Sequence, residues 1–589
     1  MSTRPGLAKL MGRLRLFPTA KRGILSDMIS QQIKKDLGKV CQKLKINPPK
    51  LVLEHPADSQ HGDYATNIAL RCWQKEYHPP FDLAAKIVNT WRSEGLPAYL
   101  AKIEVAKPGF INLWLEKDFL ISQIGEVIKK KNNFGRGNWG KGKTAVIDYS
   151  SPNIARPFGI GHFRSTIIGQ SIFNLYRFLG WQVVGINHLG DWGTQFGKLI
   201  YQIKNRHTKK KLTIKDLERL YVEFHQKAAK KPEIENEARE WFKKLEEGNQ
   251  EAKKIWKECV EVSLKEFDRI YRRLGVKFDQ TIGESFYQDK MKKVIDLAKK
   301  KKILVKSEGA WVVKFPDLKI PPALLIKSDG ATTYETRDLA SIDYRRNKWY
   351  PDLFVYEVGA EQTLHFRQIF AIAVKLGYGK AEQFIHVSHG LFYLPGVGKL
   401  STRTGRTVYL EKILDESVKR AKKLGSQNQK IAEMVGVGAV KYFDLKNHPA
   451  TNIAFDWQKM FALEGNSGPY LQYTYARCQS VLTKSERDLK KEEFNFPHLH
   501  FKTEEQNLLR IIYKFPEVIQ QAGEKFSPNL ICSFLFDLAQ KYNVFYNRLS
   551  ILKADEAELV SFRLFLTMAV SQVIKNGLNL LGIEAPRKM

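Results

Sequence analysis

The stretch from Asp148 to Thr166 carries the residue types that a nucleotide-using site needs. Gly159 and Gly161 flank a turn where the backbone can approach a phosphate closely, and His162 opens the helical pattern that follows. Free N–H groups at a helix N-terminus attract phosphate oxygens, and an imidazole placed there can donate to an oxygen as charge builds in a transition state. As a bare pattern, Gly-x-Gly-His is also an ordinary tight turn. The second candidate is Gly398-Lys-Leu-Ser-Thr-Arg-Thr-Gly405. A mobile loop bearing Lys399, Ser401 and Arg403 can close over a triphosphate and stabilise the departing pyrophosphate without covalent chemistry. By pattern alone it is equally a basic surface turn.

Both candidates need a scaffold to bring them together. Thr144 to Tyr149 is a short, β-rich apolar run, a helical pattern follows from His162 to Leu179, and Trp181 to Asn187 reads as the next strand. Strand, helix and strand within about 45 residues form a βαβ unit and imply a parallel sheet, with ligands at the carboxyl ends of its strands. Leu212 to Arg273 is helical and charged, so a helical insertion is expected over about 200–285. Strands resume at Ala310 to Phe315, Ala323 to Ile326, Leu353 to Val358 and Phe384 to Val387. Upstream, about 24–140 mixes amphipathic helix (Ile24 to Leu44) with a turn and strand at Pro108 to Leu115 and a Gly/Lys-rich linker at Asn132 to Lys143. Beyond about residue 430 the pattern is helical to the end. The expected fold class is α/β: a Rossmann-like parallel-sheet core with a helical insertion, a small α+β N-terminal domain and an all-α C-terminal domain. The expected boundaries are 1–23 (a basic segment), 24–140, 141–400, 401–435 (loop and connecting region) and 436–589.

Composition limits the partners. Of 589 residues, 96 are Lys or Arg and 62 Asp or Glu, a net charge of +34. Single runs such as Lys299 to Lys302 are ordinary solvated surface, but the whole surplus points to a polyanion, because Lys and Arg release counterions from phosphates. Five scattered cysteines without a Cys-x-x-Cys pair argue against a zinc site or a disulfide framework. No apolar run approaches the ~20 residues that span a bilayer. A cytoplasmic setting is expected. The first 23 residues hold six basic side chains and no acidic one, which suits an organellar transit peptide or a plain basic start.

Ser150 to Gly169 (Ser-Ser-Pro-Asn-Ile-Ala-Arg-Pro-Phe-Gly-Ile-Gly-His-Phe-Arg-Ser-Thr-Ile-Ile-Gly) closely resembles the HIGH-motif segment of arginyl-tRNA synthetases. Asn187-His-Leu-Gly-Asp-Trp-Gly-Thr-Gln-Phe-Gly197 resembles that family's downstream signature, and Gly398 to Gly405 its version of the KMSKS loop. His61 to Leu70 and Pro108 to Asn112 are similar to its N-terminal domain. Asn466 to Arg477, Tyr542 to Arg548 and Leu580 to Pro586 are similar to its helical anticodon-binding domain. The resemblance covers nearly all of the chain after residue 24.

It implies a class I enzyme that activates arginine with ATP, brought as its magnesium complex, and esterifies it to the terminal ribose of tRNA(Arg). It also implies that tRNA is needed for the first step. Gly159, Gly161, His162, Lys399, Ser401 and Arg403 would handle ATP. Asp148, Asn153, Tyr334, Asp338 and Gln362 would hold arginine, whose planar guanidinium suits carboxylate partners. Each carboxylate taken alone could equally be a helix cap or a structural ion pair. Tyr475 and Tyr546 are candidates for stacking on RNA bases, although most such aromatics are core. No dedicated metal cage is visible, and a monomer is expected.

Two departures stand out. The family usually has histidine where this chain has Gly159. The second KMSKS lysine is replaced by Thr402, and the position from which many relatives supply a substitute lysine holds Arg156, which is bulkier and forked. A tRNA-binding relative without charging activity is the rival these departures leave open.

Overall fold

The computed structural model describes residues 28–48, 50–72, 79–206, 211–393, 409–425, 428–489, 492, 494–496 and 498–589. Residues 1–23 and the loop bearing Lys399, Ser401, Thr402 and Arg403 lie outside these ranges.

The N-terminal region comprises α1 (Ile29–Lys43), β1 (Tyr64–Thr66), α2 (Ile68–Cys72), α3 (Pro80–Ser93), β2 (Leu100–Ala106), β3 (Phe110–Leu115) and α4 (Lys117–Lys130). Ile33, Leu37 and Val40 recur at helical spacing on α1 and are buried, as are Ile87, Val88 and Trp91 of α3. The two apolar stripes cover an antiparallel sheet of order β1-β3-β2.

The central region runs through β4 (Thr144–Asp148), α5 (Ile160–Phe178), β5 (Gln182–Leu189), α6 (Thr194–Lys204), α7 (Ile214–Lys230), α8 (Ile234–Glu246), α9 (Gln250–Leu274), β6 (Gln280–Gly283) and α10 (Met291–Lys300). It continues through β7 (Val305–Ser307), β8 (Ala310–Phe315), β9 (Ile320–Ile326), α11 (Tyr334–Trp349), β10 (Leu353–Gly359), α12 (Thr363–Leu376), β11 (Phe384–His389) and β12 (Phe392–Tyr393). The main sheet is parallel, ordered β11-β10-β4-β5-β6. From β4 the chain winds first towards β5 and β6, then returns to the other side with β10 and β11. The crevice beyond β4 is therefore a topological switch point, where open α/β sheets bind ligands. Side chains alternate across β4: Ala145 and Ile147 join the core that holds α5, and Val146 joins the core on the other face. Burial on both faces explains the unbroken apolar run.

Two sequence expectations change. β6 belongs to the main sheet, so the helical insertion ends before Gln280 rather than near residue 285. Its four residues, Gln-Thr-Ile-Gly, carry no apolar run to announce a strand. The strands at 310–315 and 320–326 leave the main sheet and form a separate antiparallel one, β7-β8-β9.

After α13 (Leu410–Lys423), α14 (Gln429–Leu445), β13 (Ile453–Ala454) and α15 (Trp457–Met460), the chain ends in a bundle. Its helices are α16 (Gly468–Lys484), α17 (Thr503–Ile512), α18 (Phe515–Glu524), α19 (Asn529–Arg548) and α20 (Ala557–Leu580). α20 is long and apolar enough to cross a bilayer, yet 72% of its most apolar window is buried inside the bundle, as in a core helix. Glu517 of α18 fastens the N-terminal region to the bundle: it accepts from Tyr64 OH at 2.6 Å and lies 3.1 Å from His55 Nε2.

Candidate active site

The turn that leaves β4 is backbone under strain. Ser150, Ser151 and Ala155 have φ of 73°, 45° and 64°, and a left-handed non-glycine residue costs roughly 1–2 kcal/mol. Local hydroxyls hold the turn in place. Ser150 N donates to Ser165 Oγ (2.9 Å), and the Ser150 hydroxyl is 2.8 Å from both Thr166 Oγ1 and Tyr271 OH. Ser151 N donates to Asn187 Oδ1 (3.2 Å) and Ala155 N to Ser263 Oγ (2.9 Å). α5 can lie close against this turn because Gly169 has no side chain; a Cβ there would sit 2.2 Å from Tyr149 Cβ.

The turn delivers the chain to Gly159, the N-cap of α5, which makes no side-chain capping bond. Gly161, the second residue of α5, is exposed. His162 Nδ1 is buried without a hydrogen-bond partner among the described residues. Burial pushes its imidazole down to about 4, helped by Arg156 and His389. His162 is therefore neutral near pH 7.

The loop carrying the remaining ATP candidates re-enters at Tyr409, whose backbone bridges Gly159. Leu410 N donates to Phe158 O at 3.0 Å, and Tyr409 OH donates to Glu218 Oε2 of α7 at 2.6 Å. The downstream anchor of the basic loop is thus fastened to the glycine turn. Arg156 packs over the Tyr221 ring of α7, 5.3 Å from its centroid, and reaches the Tyr221 hydroxyl at 3.5 Å.

Across the sheet lies an acidic opening. Tyr334 and Asp338 occupy one face of the first turns of α11. Asp338 Oδ2 lies 2.6 Å from His365 Nε2, and the Tyr334 and His365 rings are 5.0 Å apart. Burial alone would raise the Asp338 carboxyl, but the His365 hydrogen bond and charge, with His188 and Arg345 nearby, hold it below the usual carboxylate range. Its side chain keeps 29% exposure. Gln362 is exposed at the N-cap of α12, one turn before His365. Asn153 is half-buried and bridges Gly190; a Cβ at Gly190 would lie 2.1 Å from Asn153 Oδ1.

Asp148 behaves differently from the sequence expectation. Its Oδ2 pairs with Arg345 Nη2 at 2.6 Å and its Oδ1 accepts from Ser151 Oγ at 2.9 Å, with both charged side chains buried. A protein guanidinium already balances this carboxylate, as in the structural ion pair that its position also allowed. Glu284, which the sequence reading missed, lies close enough to Asp338 for their charges to interact. It directly follows β6 and pairs with Arg337 Nη1 at 2.9 Å. Burial pushes its carboxyl up to about 7, opposed by Arg337 and reinforced by Asp338 and Asp191. Asp191 joins the strand ends, accepting from Ser285 N (2.8 Å) and Ser285 Oγ (2.6 Å).

The two RNA-stacking candidates separate. Tyr475 is 3% exposed and shares the inner stripe of α16 with Leu471 and Cys478, so it is core. Tyr546 is 39% exposed, and the Arg477 guanidinium lies between it and Tyr473, 4.6 and 4.8 Å from their centroids. Tyr473, two residues from Tyr475 on the outer face of α16, was not singled out in the sequence.

A family model described as "tRNA synthetases class I (R), catalytic domain" matches residues 123–457. "Arginyl tRNA synthetase N terminal domain" matches 27–115 and "DALR anticodon binding domain" 471–589. The chain is 40% identical over 568 residues to an arginine--tRNA ligase of Exiguobacterium sp., covering 93% of this chain and 98% of that one. It is 41% identical over 563 residues to one of Enterococcus faecalis, covering 93% and 97%. Among solved structures, an arginyl-tRNA synthetase from Plasmodium falciparum superposes with a TM-score of 0.83 at 26% identity, covering 96% of this chain and 100% of that one. The Thermus thermophilus enzyme shares the fold, with a TM-score of 0.79 at 22% identity over 95% of this chain and 100% of its own.

Proposed function

The chain belongs to the arginyl-tRNA synthetase family, and from that premise we propose how its residues divide the work of arginine–tRNA ligation. The reaction has two steps. The carboxylate of arginine attacks the α-phosphate of ATP, giving arginyl-adenylate and pyrophosphate. A terminal ribose hydroxyl of tRNA then displaces AMP.

The α5 turn is our candidate cradle for the triphosphate: the uncapped helix end offers N–H groups, and neutral His162 can donate one hydrogen bond to a phosphate oxygen. Lys399, Ser401 and Arg403 would close over the leaving pyrophosphate, with Arg156 adding positive charge from the α7 side. Magnesium would arrive on the triphosphate, held chiefly by phosphate oxygens. Among the described residues no group of three or more His, Cys, Asp or Glu side chains is placed to hold a metal ion.

Arginine would enter the acidic opening with its guanidinium towards Asp338, Tyr334 and Glu284, and its α-amino end near Asn153 and Gln362. The observation that carries this reading is Asp338: a carboxylate kept ionised by His365 yet open to a ligand. A planar guanidinium can pair in a fork where an ammonium cannot, so lysine should be rejected. tRNA would be gripped by the Tyr473–Arg477–Tyr546 face and by the basic surface at large. We propose further that the enzyme is a cytoplasmic monomer.

The test is ATP–pyrophosphate exchange, run with arginine or lysine and with or without tRNA. Exchange that requires both arginine and tRNA supports the reading. Exchange with lysine, or none under any condition, overturns it.

A further inference from the structure

The ATP turn lacks one of the two histidines usual in its family, because Gly159 stands at that position. Nothing in the local backbone demands glycine: φ is −89° and ψ 166°, an extended conformation open to any residue. The site has been left one hydrogen-bond donor short.

A histidine that the family motifs do not name stands beside it. His389 is the last residue of β11, at the carboxyl edge of the sheet where α5 begins, and its side chain is 11% exposed. Its Nδ1 lies 2.9 Å from Oε1 of Glu357 on the adjacent strand β10. Glu357 is itself buried, and its backbone carbonyl accepts from Ser165 Oγ of α5 at 2.8 Å. The pair therefore packs directly under the first turns of the helix that carries His162. His389 is close enough for its charge to act on the His162 imidazole. Its Nε2 reaches over Gly359, where a Cβ would stand 3.5 Å away, so the ring extends into space that glycine leaves open at the end of β10. No described residue is hydrogen-bonded to Nε2. A few residues later the chain enters the Gly398–Gly405 loop.

Glu357 and Asp444 are both buried carboxylates here, and Arg164 lies 2.9 Å from Asp444. Glu357 Oε2 has no hydrogen-bond partner among the described residues. A buried carboxylate 2.9 Å from Nδ1 fixes the ring's orientation and leaves Nε2 facing away from it.

We propose that His389, oriented by Glu357, supplies the imidazole that Gly159 lacks: with Glu357 at Nδ1 and the bound triphosphate at Nε2, the ring takes up a solvent proton when ATP binds and donates from Nε2 to a phosphate oxygen as pyrophosphate departs. No proton is transferred to the phosphate; the ring stabilises developing charge, with Glu357 as its positioning residue. This inference rests on the α5 turn being the nucleotide site, which wild-type exchange activity tests separately.

The experiment measures tRNA-supported ATP–pyrophosphate exchange for the full chain and its variants. Removing one transition-state donor typically lowers kcat by about 100-fold or more, so H389A should show a loss of that order with an unchanged KM for arginine. E357Q, which keeps a hydrogen-bonding partner but no charge, should fall between H389A and wild type. The decisive variant is G159H/H389A, in which a histidine restored to the turn should recover at least about tenfold of the lost kcat. H389Q serves the same comparison if the alanine variant does not fold. Exchange by H389A within about twofold of wild type would overturn the proposal. So would a loss that G159H leaves unrepaired in a variant with normal thermal stability and arginine KM, because that pattern marks a purely structural histidine.

Discussion

The carboxylate of Asp148 and the guanidinium of Arg345 lie 2.6 Å apart at the centre of the sheet, both buried, with Arg345 also 5.4 Å from the Tyr356 ring and its Nη2 3.4 Å from His188 Nδ1. The site thus carries a guanidinium of its own. Burial favours neither charge alone, and the pair persists because each neutralises the other.

Breaking that pair should destabilise the fold. Removing one partner of a buried ion pair costs about 3–5 kcal/mol, so R345M and D148N should each lower the unfolding free energy by that order. A double-mutant cycle from denaturant unfolding checks it. Two additive single effects would show that the pair is not coupled.

Asp338→Asn should raise the KM for arginine about 10- to 100-fold, the range for losing one charge-assisted hydrogen bond, while the KM for ATP stays put. Steady-state exchange kinetics read both constants. An unchanged arginine KM would remove Asp338 from the pocket.

Glu284 predicts a pH dependence of opposite sign for binding and for stability. Its carboxyl titrates at about 7 in the fold against an ordinary 4.5. A cationic substrate prefers the ionised form, so kcat/KM for arginine should fall as pH drops below about 7, and E284Q should flatten that limb. For the substrate-free protein the folded state binds more protons between pH 4.5 and 7, so the stability contributed by Glu284 is present below 4.5 and lost as pH rises through 7. Rate profiles and thermal unfolding of the two proteins separate these effects; a limb that survives in E284Q belongs to another group.

On the bundle, Tyr475→Ala should act as a core truncation, costing about 3–5 kcal/mol, with tRNA affinity per folded molecule unchanged. Tyr546→Ala should leave stability nearly intact and weaken tRNA binding, since stacking on one base is worth about 1–3 kcal/mol. Unfolding curves and gel retardation distinguish them, and the reverse pattern would exchange their assignments.

How much of this was legible in the sequence depends on where each signal lies. The β4–α5–β5 unit and the His162 turn are contiguous, and their glycines and hydroxyls announce themselves within one segment. Tyr334 and Asp338 also share one segment, but it was the family resemblance rather than their spacing that marked them. The Asp148–Arg345 pair was not legible, because it depends on how α11 packs on β4, and a strand-end carboxylate looks the same whichever cation it meets. Glu284 was hidden by its strand: four residues with one apolar side chain give no period to read. Tyr475 was decidable, since the spacing Leu471, Tyr475, Cys478 is a buried helical stripe, and Tyr473 falls off it. His389 and Glu357 sit on separate strands and become a pair only through the parallel register of β10 and β11.

The most direct test of the central claim is attachment of radiolabelled arginine to a total tRNA pool by the full-length chain, with lysine as the control. The account predicts arginine-specific charging, which would show that Gly159, Arg156 and Thr402 are compatible with the complete reaction. Tight tRNA binding with no attachment of arginine would contradict it and leave a tRNA-binding relative whose active site has lost its chemistry.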